Sequence, residues 1–167
     1  MQSATNEAEA KDKLFKLIKD IRIAMMTTID DDGSLRSRPM YNQSVDKDGK
    51  LWFFSKADDK VQEIKRERQV NLSYSDPGSQ TYVSISGTAA DLRDKAKAKE
   101  HWSEGMRVWF PKGVEDSDIV LICVTPTNGE YWDSPSSTML HLYGYVKAIT
   151  VGKSPNELTE DVKVKLA

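Results

Sequence analysis

One cysteine and two histidines in 167 residues leave little metal or disulfide chemistry to consider. Cys123 has no internal partner, and its place in the apolar run IVLICV marks it as a small buried hydrophobe. Two histidines in unrelated contexts, with no cysteine cluster, supply no ligand set for a structural zinc. No run of about 18 apolar residues exists, so no membrane-spanning helix is expected. The polar N-terminus, MQSATNEAEAKDK, has no apolar signal-peptide core, and a cytoplasmic location is the expectation. An excess of one charge is missing as well: 24 Lys and Arg stand against 26 Asp and Glu, a net charge of −2. A nucleic-acid binder would show a basic footprint, and none is present. There is no GxGxxG and no P-loop. Ser84 and Ser86 lack a GxSxG setting or a plausible His/Asp pair.

What remains is a chain with 38% hydrophobic and 30% charged residues, ordinary for one well-solvated domain. The reading is a single domain over 1–167, with 1–11 and 153–167 as loosely ordered tails. Leu14, Leu17, Ile18 and Ile21 recur at helical spacing and predict an amphipathic helix over 7–21. Then the pattern turns extended. Strands are predicted at 23–29, 34–45 and 51–55, joined by the turns DDDG and DKDG; such DG turns between β runs signal hairpins. A helix over about 58–67 shows Val61 and Ile64 as its inner face. Strands at 70–76 and 80–92, a helix over 94–102 and a strand at 118–126 follow. Asn128-Gly129 reads as a turn into 130–134, and Leu142, Val146 and Ile149 suggest a helix beyond Pro135. Hairpins without βαβ alternation argue for α+β, an antiparallel barrel of about six strands with short peripheral helices.

Three features point toward a ligand. LWFFSKADDKVQEIKR runs from a strand into a helix start, where free N–H groups favour an anion. Lys60 falls in the first turn, a position unfavourable for a cation by ~0.3–1 kcal/mol. A bound phosphate would offset that cost, although Asp58 and Asp59 could cap the same end unaided. On the neighbouring strand, Arg36 and Arg38 lie two apart and point the same way. They face solvent unless something requires them. Pro39 breaks ladder regularity beside them and could free backbone groups for a flat heterocycle. Trp102, Trp109 and Trp132, like the six tyrosines, could stack on a planar ligand or fill core and interface.

In this order and spacing, IAMMTTIDDDGSLRSRPM, LWFFSKADDKVQEIKRERQVNLSY, VSISGTA, WFPKG and EYWDSPSS resemble the FMN-binding split-barrel superfamily of pyridoxamine 5′-phosphate oxidase-like proteins. Within it the chain is similar to the general stress protein 26 group, over residues 12–152. The resemblance implies a homodimer with two FMN sites at the subunit interface. It places Arg38-Pro39-Met40 along the isoalloxazine and the backbone of Phe53-Phe54-Ser55 against the flavin. It sets Lys60 at the phosphate, with Tyr82, Trp109 and Trp132 closing the pocket, some from the partner chain.

The match has departures. Asp59 stands where the oxidase has an arginine, so Arg36 or Lys56 would have to replace that phosphate contact. STMLHLYG lacks the Arg-x-His element that grips the oxidase's substrate, so oxidation of pyridoxamine phosphate is not implied. The expectation is a flavin-dependent oxidoreductase linked to stress, with a possible nicotinamide electron donor and no assigned catalytic side chain. Rivals are a flavin-sequestering protein without turnover, a deazaflavin or haem binder (His101 or His141 as axial ligand), and a barrel with a vestigial groove.

Overall fold

The computed structural model describes residues 4–133 and 160–167. Helix α1 (Ala4–Ile21) leads into strands β1 (Ile23–Ile29), β2 (Leu35–Val45) and β3 (Leu51–Lys56). Helix α2 (Asp59–Arg66), strands β4 (Gln69–Asp76) and β5 (Thr81–Leu92), and helix α3 (Lys95–His101) follow. A 3-10 turn (Glu104–Val108), the long strand β6 (Ile119–Asp133) and strand β7 (Glu160–Lys165) complete the order. The sheet runs β3-β2-β1-β4-β5-β6-β7 and closes through an additional β3–β6 pairing. Six antiparallel strands thus form a closed barrel, with β7 added beside the second half of β6. This is the expected α+β split barrel.

The first two hairpins follow from their turns. Gly33 and Gly49 both take positive φ, 81° and 78°, which closes DDDG and DKDG over Asp30 and Asp46. Along β1, β4 and β5 buried and less buried residues alternate, as in a sheet with one face on the core. The strand β3 is different: Leu51 to Ser55 are all buried. Leu51 and Phe53 join the barrel core, while Trp52 and Phe54 join a second cluster under α3 and the 3-10 turn, with Met106, Phe110 and Cys123. That double burial explains the unbroken aromatic run.

Several expectations need correction. Asn128-Gly129 is no turn, for β6 runs straight through it. A Cβ on Gly129 would lie 2.5 Å from Leu14 Cδ1, so this glycine serves the close approach of α1 to the sheet. The tails are not loose throughout: α1 begins at Ala4, and β7 pairs with β6 from Asn128↔Lys165 to Asp133↔Glu160. The helix expected beyond Pro135, and His141 with it, lies outside the described residues.

Candidate functional site

The barrel splits where β2 and β3 part. Their pairing runs from Val45↔Leu51 to Asn42↔Phe53 and slips at Gln43. Beyond it, Phe54, Ser55 and Lys56 pair with β6 alone, while Pro39, Met40 and Tyr41 pair with β1 alone. Both strands therefore turn unpaired backbone edges toward one groove of about 510 Å³. A bulge redirects side chains, and the bulged Gln43 reaches the far wall. Its Nε2 donates to Met106 Sδ at 2.7 Å, and its Oε1 accepts from Ser103 Oγ at 3.3 Å. Those bonds seat the 3-10 turn, so that its Met106, with Trp109 and Phe110 just after it, lines the groove. Trp109 is 66% exposed, an open aromatic face at the groove's edge.

The cationic end comes from the β3–α2 junction. Lys60 Nζ donates to Ser55 Oγ at 2.8 Å and pairs closely with Asp58. Lys56 shares the lining, its ammonium 5.9 Å from the Phe110 ring centroid. Of the residues singled out from sequence, Pro39, Met40, Phe54, Ser55, Lys60 and Trp109 converge here. Lys56 rather than Arg36 is the additional cation of the groove. Ile23, Tyr41, Met106 and Phe110 were missed; Phe110 at least belongs to WFPKG, and Ile23 lies opposite Tyr41 in the β1–β2 ladder.

Other expected ligands lie elsewhere. Arg38 donates from Nη1 to Glu63 Oε2 at 2.9 Å, from Nη2 to Glu63 Oε1 at 3.1 Å, and from Nη1 to Thr28 Oγ1 at 2.6 Å. Arg36 reaches Glu63 and Asp30, each at 3.3 Å. Neither arginine lines the groove; a carboxylate on α2 that is 2% exposed holds Arg38 largely covered, while Arg36 reaches it and stays half exposed. Burial alone would push the Glu63 pKa up. Hydrogen bonds from Arg38 and Thr28, with the charges of Arg38 and Arg36, outweigh burial and hold it below the usual value. Phe53 sits wholly in the core with its backbone paired on both sides.

Tyr82 and Trp132 face each other across β5 and β6. Neither lines this chain's own groove. His101, weighed as an axial ligand, stacks on Trp52 at 4.5 Å and shares a 2.8 Å hydrogen bond with Ser44, so it too is outside the groove lining. Among the described residues, no cluster of His, Cys, Asp or Glu could hold a metal ion. No described helix is long and apolar enough to cross a membrane.

Residues 9–156 match the family described as pyridoxamine 5′-phosphate oxidase like. The chain belongs to that family. It is similar to a putative general stress protein 26 from Jannaschia sp. CCS1, with 26% identity, 95% of this chain and 99% of the other covered, and a TM-score of 0.79. It is also similar to the general stress FMN/FAD binding protein of Xanthomonas citri, with 27% identity, 78% and 92% coverage, and a TM-score of 0.66. Among curated sequences, Protein bli-3 of Neurospora crassa is 25% identical over 152 residues, covering 83% of this chain and 73% of the relative.

Proposed function

We propose that the groove binds FMN and that the protein is a flavin-dependent oxidoreductase of the general stress type. The parting of β2 and β3 carries the reading. Two unpaired strand edges present donors and acceptors of the kind a flat heterocycle with a polar rim requires. Met40, Phe54 and Phe110 offer apolar surface to its faces, and Trp109 an aromatic one. Lys60 and Lys56 supply positive charge at the end where a phosphate would lie. The residues present fit the cofactor. The X. citri relative, described as FMN/FAD binding, supports the same choice.

When bound, the flavin itself would supply the hydride chemistry, with a nicotinamide as electron donor. This chain's residues would orient the ring, hold the phosphate and shield one face from water. The working unit in this reading is a homodimer. Ile23, Met25, Tyr41 and Tyr82 are 55%, 42%, 38% and 41% exposed on the outer face, a run of apolar surface suited to a second copy. A partner copy would also account for Tyr82 and Trp132, which do not line their own chain's groove.

The test is the visible spectrum of purified protein before and after adding FMN and desalting. About one flavin retained per dimer half supports the reading; protein that stays colourless rejects it. Anaerobic addition of NADH or NADPH then separates the functions. Bleaching followed by reoxidation marks an oxidoreductase, and bound flavin that neither donor reduces marks a flavin-sequestering protein.

A further inference from the structure

Asp58 occupies the N-cap position of α2, where an aspartate ordinarily accepts from first-turn N–H groups. Here its side chain makes no capping bond. It turns into the groove and pairs with Lys60, the ammonium that also donates to Ser55 Oγ. The Lys60 side chain is 12% exposed and that of Asp58 is 44% exposed, so the carboxylate is the partner with room to leave. The backbone of Asp58, φ −135° and ψ −171°, is already the extended form of a capping residue. Rotation of the side chain alone could carry its carboxylate from Lys60 to the helix end.

We propose that Asp58 sets the groove's selectivity by competing with a ligand's anionic group for Lys60, moving to cap α2 when that group wins. The inference rests on the flavin reading and adds the residue that decides how sharply phosphorylated and unphosphorylated flavins are told apart. With Lys56, Lys60 and Asp58 all lining the groove, a phosphate dianion meets two positive charges and one negative. Asp59, the next residue, is not part of the lining.

The experiment titrates FMN and riboflavin against the wild type, Asp58→Asn and Asp59→Asn. Asparagine caps helices as well as aspartate does, so Asp58→Asn removes the competing charge and keeps the ability to cap. Relief of like-charge repulsion in a partly exposed site should tighten FMN about tenfold and move riboflavin less than about twofold. Asp59→Asn should move FMN less than about threefold, as a charge outside the groove lining. The inference is overturned if FMN binding is unchanged or weaker in Asp58→Asn, if riboflavin tightens equally, or if Asp59→Asn matches it. A loss of thermal stability in Asp58→Asn with an unaltered FMN-to-riboflavin ratio would also overturn it, making Asp58 a structural partner of Lys60. Failure of every protein to bind either flavin would instead reject the flavin reading itself.

Discussion

Arg38 on β2 and Glu63 on α2 form a two-pronged ion pair, Nη1 to Oε2 at 2.9 Å and Nη2 to Oε1 at 3.1 Å. Thr28 on β1 joins it through its hydroxyl. The pair links the helix that carries Lys60 to the strand that carries Pro39 and Met40, so the two sides of the groove share one anchor.

Removing one partner of a buried ion pair leaves the other charge uncompensated. Glu63→Ala should therefore destabilise the fold by about 3–5 kcal/mol, read as a fall in the urea midpoint at neutral pH. A loss under about 1 kcal/mol would show that Arg38 escapes to solvent and that the anchor contributes little, as exposed pairs do.

The same carboxylate gives the protein an acid-sensitive contact. Its folded pKa lies below the ordinary value of 4.5, so the unfolded chain takes up the proton first. Its contribution is present in full above about 4.5 and is lost as pH falls through the folded value. The stability gap between wild type and Glu63→Gln should narrow steadily across that acid range. A gap constant down to the acid transition would contradict the depressed pKa.

Lys60→Ala should weaken FMN binding by about 1.5–3 kcal/mol, the contribution of a hydrogen bond to a charged group, and leave riboflavin nearly unaffected. Fluorescence titration with both flavins measures this. An unchanged FMN constant would make the Leu51–Arg66 stretch an ordinary strand, turn and helix.

Met25 lies on the outer face beside Pro39 in the β1–β2 register but does not line the groove. Met25→Lys would place a charge in each copy's half of the proposed interface and should shift sedimentation toward monomer. Flavin affinity should fall with it, because the partner's Tyr82 and Trp132 would no longer close the groove. A monomer with full affinity would remove those two residues from the site.

Local chemistry was legible along much of the described chain. The DG turns, the alternation of β4 and β5, and Val61 and Ile64 on the inner face of α2 depend on neighbours a few residues away, so sequence alone determined them. The ordered motifs determined the family and the split barrel. What a side chain meets across the fold was decided elsewhere. Arg36 and Arg38 share a face as their spacing requires, but only the seating of α2 puts Glu63 within their reach. Gly129 looks like a turn residue until α1 is packed against it. The groove itself depends on where β2 and β3 stop pairing, at the Gln43 bulge, and its far wall on the 3-10 turn that Gln43 holds. Those outcomes rest on contacts between residues up to 115 positions apart, Leu14 against Gly129 being the longest of them. Periodicity reports which face a residue lies on; only tertiary packing decides what that face touches.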